Sequence, residues 1–222
     1  MAPLRILPWA LLLLLVLLSA CFPQAARPPE VALERVEVLG FSLTPEPTLR
    51  LGLGLRFQNP NPYPLPLEAV GANLALEGLE LPLSLRLPPW ESRATLPLDL
   101  PASRALEAGR ALFAGGARLQ VKARLPQPVL LLDTRVGLPL RPLEAELRGV
   151  NLILKNPNPV PLRAEGRLVL LGQSLLVRAD LPAQGEARLQ VSGFRPGLER
   201  GRRLELELEV PGFFRYRLAL EL

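Results

Sequence analysis

The sequence predicts an all-β protein: two tandem antiparallel β-sandwich domains, with one short helix in the first. Three observations carry that expectation. Apolar residues recur at every second position, as at Leu49, Leu51, Leu53, Leu55 and Phe57, with Arg50, Gly52, Gly54 and Arg56 between them, the pattern of a strand with one buried face. Proline, at 26, and glycine, at 17, are abundant in 222 residues, which favours many short strands and turns over long helices. One stretch also occurs twice, 97 residues apart: Gln58-Asn59-Pro60-Asn61-Pro62-Tyr63-Pro64-Leu65 and Lys155-Asn156-Pro157-Asn158-Pro159-Val160-Pro161-Leu162. The strand ahead of it repeats too, Leu53, Leu55 and Phe57 falling on Val150, Leu152 and Leu154. The same face is therefore apolar in both copies, a duplicated structural unit.

The N-terminus reads as an address. Met1 to Arg5 supply one positive charge, Ile6 to Leu18 are almost wholly apolar, and Leu18-Ser19-Ala20-Cys21 follows. Thirteen apolar residues are too few to span a bilayer comfortably, and the small residues at their end suit a secretory signal over 1–20. The last four residues resemble the bacterial lipobox, in which the cysteine is lipidated and becomes the first residue. That resemblance implies membrane attachment through Cys21 at the bacterial cell envelope, on the periplasmic face of the outer membrane in a Gram-negative cell or on the surface of a Gram-positive one. An ordinary signal peptide with an incidental cysteine, or an uncleaved anchor, would leave the chain in the same compartment. Residues 21–30 form a tether: nine residues from Phe22 to Glu30 reach about 27 Å when extended.

The first domain is expected over 31–140. Val31 to Leu43 alternates, Pro45 and Pro47 mark a turn, and the strand Leu49 to Phe57 runs into the first Asn-Pro corner. Prolines there lack the ladder donor and fix φ, so they end the strand; the asparagines suit the bend because their side chains bond the backbone. Strands are expected from Leu67 to Glu77, Leu79 to Leu87 and Ala94 to Leu100. A short amphipathic helix over Ser103–Phe113 follows, capped by Ser103, weakened by Gly109 and stopped by Gly115-Gly116. Strands resume over Leu119–Leu125 and Leu130–Leu138, about seven in all.

The second domain is expected over 141–222. Arg167 to Leu171 with Gly172 parallels Asn73 to Glu77 with Gly78 after a three-residue deletion. In place of a helix it has Gly193-Phe194-Arg195-Pro196-Gly197-Leu198, and its first strand is in question. Leu204 to Val210 alternates with glutamates and Phe214 to Leu222 with arginines, so opposite charges should face each other across the last two strands. The last five residues should be packed, and their removal destabilising.

At Asn59-Pro60-Asn61-Pro62 and Asn156-Pro157-Asn158-Pro159, with the apolar strand before and the proline-rich bend and strand after, the chain resembles the water stress and hypersensitive response domain of group 2 late embryogenesis abundant proteins. Two tandem copies would cover nearly all of the mature chain. The resemblance implies a compact antiparallel sandwich similar to fibronectin type III, and a role in protecting client proteins or membranes under desiccation, cold or heat without catalysis.

Catalytic and metal chemistry find few candidates. There is no histidine, and Cys21 is the single cysteine, so neither an internal disulfide nor a Cys/His zinc set is available. Asp99, Asp133 and Asp180 are dispersed, and no glycine-rich phosphate loop links a strand to a helix. No cofactor is expected. The formal charge of +5 is spread along the chain and suits solvated strand faces better than a nucleic-acid groove. The leading expectation is a non-enzymatic, lipid-anchored envelope protein with a stress-protective role. The alternative is a membrane-tethered adaptor binding an envelope protein in assembly or transport.

Overall fold

A computed structural model describes residues 26–125, 127–138, 140–170, 173–191 and 202–222. Residues 1–20, expected to be a signal, Cys21 and the first part of the expected tether lie outside them, as do Gly172 and residues 193–198. The described residues are mostly β-strand, arranged in several small antiparallel sheets with one helix.

In the first half, β1 (Glu30–Ser42), β2 (Thr48–Asn59) and β7 (Trp90–Pro101) form a sheet in the order β1-β2-β7. A second sheet runs β5-β4-β8-β9, from β4 (Asn73–Leu76), β5 (Leu79–Pro82), β8 (Ala117–Leu125) and β9 (Gln127–Val136). The short β3 (Leu65–Pro66) and β6 (Arg86–Leu87) pair with each other, and helix α1 (Ala102–Phe113) joins β7 to β8. In the second half, β10 (Glu144–Arg148), β11 (Asn151–Lys155) and β14 (Glu186–Gln190) repeat the three-stranded order as β10-β11-β14. The four-stranded order returns as β13-β12-β15-β16, from β12 (Leu162–Leu170), β13 (Gln173–Leu181), β15 (Arg203–Val210) and β16 (Phe214–Glu221). The sequence repeat is thus a repeat of strand order, and in both copies the strand entering the corner is the central one of its sheet.

Period-two alternation explains why these segments pair as they do. Leu49, Leu51, Leu53, Leu55 and Phe57 are all buried in the core. On the other face, Gly54 leaves room for Arg35 of β1, whose Cγ would lie 2.6 Å from a Cβ placed there. Leu204, Leu206, Leu208 and Val210 are likewise buried, while Glu207 and Glu209 face Arg217 and Arg215 in register. Arg215 reaches Glu209 at 3.4 Å and Glu207 at 3.9 Å, and Glu205 instead takes Arg167 of β12 at 2.8 Å. Leu222 packs against the core and its N–H donates to Arg202 O, so the final residues are part of the fold.

Five local expectations are corrected. The strand expected from Leu79 to Leu87 is divided, β5 ending at Pro82 and β6 covering only Arg86–Leu87, while Leu85 O accepts from Leu67 N–H between them. The strand expected from Leu67 to Glu77 is broken by a turn over 67–71, closed by Ala69 N–H to Pro66 O and Gly71 N–H to Glu68 O. The second copy, three residues shorter here, has no such turn, and β12 runs unbroken from Leu162 to Leu170. The helix starts one residue early and Ser103 does not cap it: Pro101 is the cap residue, Ser103 N–H donates to the Glu46 carboxylate at 3.2 Å and Ala102 N–H to Pro47 O at 2.8 Å. A carboxylate brought in from the β1–β2 loop thus serves the helix end that a local hydroxyl would otherwise serve. The helix stops as expected, Gly115 at φ 83° donating to Leu112 O and Gly116 to Ala111 O. The first strand of the second copy is present as β10, paired along its whole length with β11. Finally, residues 26–30 are not a free leash, because Ala26 packs on the core and β1 begins at Glu30.

Cross-strand ion pairs decorate the exposed faces and each is worth little. Asp133 is the most perturbed: the Arg118 guanidinium donates to it at 2.9 Å and Gln120 at 3.2 Å, and these hydrogen bonds hold its carboxyl down to about 2. Because its folded value lies below the ordinary one, the stabilisation is complete above about pH 4 and is lost as pH falls toward 2. Asp133→Asn should therefore flatten the acid limb of the stability profile in that window and leave the slope near neutrality unchanged, as read by denaturation midpoints across pH.

Candidate functional site

The four asparagines singled out by sequence are also the buried polar residues of the described chain: Asn59 at 0%, Asn61 at 4%, Asn156 at 2% and Asn158 at 1% exposure. An amide buried that deeply must find partners for both its oxygen and its nitrogen. In the first corner, Asn59 Nδ2 donates to the carbonyls of Tyr63 at 3.0 Å, Leu87 at 3.2 Å and Pro88 at 3.2 Å. Its Oδ1 accepts from Asn61 N at 3.0 Å and Asn61 Nδ2 at 2.8 Å. Asn61 then reaches across the fold, where its Nδ2 donates to Arg27 O at 2.9 Å and its Oδ1 accepts from Arg27 N at 2.9 Å.

The second corner repeats this network, except that Asn156 has no counterpart of the bond to Leu87 O. Asn156 Nδ2 donates to Val160 O at 2.8 Å and Pro182 O at 2.9 Å, and Asn156 Oδ1 accepts from Asn158 N and Nδ2, both at 3.0 Å. Asn158 pairs with both main-chain groups of Arg141, donating to its O at 3.0 Å and accepting from its N at 2.6 Å. In each copy the first asparagine ties the bend to the Leu-Pro step at Leu87-Pro88 or Leu181-Pro182. The second mimics a paired peptide for the segment leading into the first strand. Pro60, Pro62, Pro157 and Pro159 supply no N–H, so the bends they shape present few main-chain donors for the amides to satisfy.

Arg27 and Arg141 are the participants that motif reading missed. A signal was present: Arg27-Pro28-Pro29-Glu30 and Arg141-Pro142-Leu143-Glu144 form a second repeat, 114 residues apart. It precedes the first strand in both copies, and its main chain is what the second asparagine needs.

The aspartates are kept apart. Asp99 lies against Arg50 at 2.6 Å, Asp133 against Arg118 and Asp180 against Arg163 at 3.2 Å, each on a neighbouring strand. The Arg50 hydrogen bond holds the Asp99 carboxyl below its usual range. Among the described residues, two of the open clefts that lie elsewhere stand out by volume. One, of about 830 Å³, lies on the outer face of the β13-β12-β15-β16 sheet beside Leu176, Arg167, Glu205 and Arg217. The other, of about 850 Å³, separates α1 from the β15–β16 hairpin, between Leu106, Arg110, Phe213 and Arg215. Cys21 lies outside the described residues. Compared with known proteins, the chain matches no family model, and no curated protein matches it.

Proposed function

We propose that the chain is a pair of tandem β-sandwich domains of the water stress and hypersensitive response type, similar to fibronectin type III. It is held at the bacterial envelope by lipidated Cys21 and stabilises neighbouring proteins or membrane under desiccation, cold or heat without catalysing a reaction. The observation that carries this reading is the twin asparagine network. The asparagines of the motif on which the resemblance rests are buried, bonded to main chain and repeated in the same strand order, as expected of a motif that defines a scaffold. The test is protection: a deletion strain should survive drying and freezing less well, and the purified mature chain should preserve a labile enzyme through the same treatment. Unchanged survival together with no protection would sink it.

A second reading, an adaptor for an envelope protein, is favoured by Leu176, 88% exposed at the outer-face cleft. A solitary exposed leucine is ordinary on a surface, but one set in a broad cleft among charges suits a partner. Crosslinking of the intact lipoprotein, with Cys21→Ser as the unanchored control, separates the two. One stoichiometric partner lost in the variant supports the adaptor, and a spread of weak clients supports general protection.

A further inference from the structure

The two corners share one scaffold, so differences between them mark what the scaffold does not require. In the second, the residue inside the bend is Val160, fully buried, and Gly185 lies opposite Asn156, accepting its N–H. In the first, the same places hold Tyr63, 37% exposed, and Trp90, paired with Asn59 in the β2–β7 ladder and 73% exposed. Trp90 has φ 73°, a left-handed conformation that a bulky residue rarely adopts. Around these rings Pro60, Pro62, Pro64 and Pro88 are also exposed. A second copy of the fold manages without any exposed aromatic here, so packing does not account for them.

This end of the first half is also where the chain comes in. Asn61 grips both main-chain groups of Arg27 and is itself bonded to Asn59, which faces Trp90. Cys21 is six residues before Arg27, a reach of about 20 Å at full extension. A lipid on Cys21 therefore confines the first corner to the neighbourhood of the bilayer surface. Tryptophan and tyrosine, each apolar with a polar handle, concentrate at that level of a membrane, and exposed Arg27 and Arg86 can face the headgroups.

We propose that the first Asn-Pro corner is a membrane-docking surface, with Trp90 and Tyr63 seated in the headgroup region of the bilayer and the second corner held away from it. The inference rests on the lipid anchor proposed at Cys21, and a single preparation separates the two. Without residues 1–20, Trp9 is gone, Trp90 is the sole tryptophan and Cys21 the sole cysteine. The mature chain is coupled at Cys21 by maleimide to phosphatidylethanolamine in vesicles of phosphatidylethanolamine and phosphatidylglycerol. Its Trp90 emission should shift to the blue and be quenched by lipids brominated close to the headgroup, the level at which interfacial tryptophans sit. Trp90→Phe combined with Leu176→Trp moves the reporter to an exposed strand of the second half and should show neither effect. Emission from Trp90 that matches the uncoupled protein overturns the proposal, and so does equal quenching at position 176. Protein recovered from cells with an unmodified Cys21 would defeat the anchor instead, while the vesicle result still decides whether this end docks.

Discussion

Asn59→Asp lowers the stability of the first half by about 3–5 kcal/mol at pH 7, and Asn156→Asp does the same to the second. The substitution keeps the shape of the side chain and its acceptor oxygen, so Asn61 can still donate to it as it does at 2.8 and 3.0 Å. What changes is Nδ2. The carbonyls of Tyr63, Leu87 and Pro88 would face a second carboxylate oxygen, and three acceptors would lose their donor beside a buried charge. Burial among carbonyls raises the carboxyl's folded pKa above its unfolded value. The folded state then holds the proton more tightly, so the deficit is smallest below about pH 4 and grows as pH rises through it. Denaturant midpoints at pH 4 and pH 7 read both the size and the sign. An unchanged midpoint at pH 7 would mean that the donated bonds contribute nothing.

Those asparagines also show how far the sequence was legible. The alternation, the corners and the duplication could be read because each depends on local spacing, and the core face of β2 is the one the pattern indicates. Partners of the corner could not be read in full, since the pairing of Asn61 with Arg27 and of Asn158 with Arg141 joins segments that only the fold brings together. The same limit explains the helix start. Ser103 satisfies the local rule for a cap, yet Glu46, 57 residues earlier, takes its N–H. Trp90 had no period to reveal it, because its meaning comes from comparison with Gly185 at the matching place in the other copy.

Gly109→Ala should destabilise the protein by about 1–3 kcal/mol, although helix propensity alone predicts a gain of about 1 kcal/mol. Sequence suggests that this glycine merely weakens α1; the structure gives it a neighbour. A Cβ at 109 would fall on Cδ1 of Phe213 and 2.8 Å from its Cε1, so the ring from the second half lies directly on the helix of the first. The ring has little freedom to retreat. It is 3% exposed, edge-on to Phe41 at 6.0 Å and to Phe113 at 6.3 Å, and Phe113 stacks on Phe214 at 6.2 Å. Phe213→Ala alone should cost about 3–5 kcal/mol. In that background the obstruction is gone, so adding Gly109→Ala should restore about 0.5–1 kcal/mol in line with propensity. The reversal of sign, measured as a double-mutant cycle, isolates the contact between the halves from the intrinsic helix effect. Additive effects would mean that α1 and the β15–β16 turn are energetically independent. Strong coupling would mean that α1 and the β15–β16 turn are in energetic contact, so that fixing the first corner at a membrane also constrains where the outer-face cleft of the second half is presented.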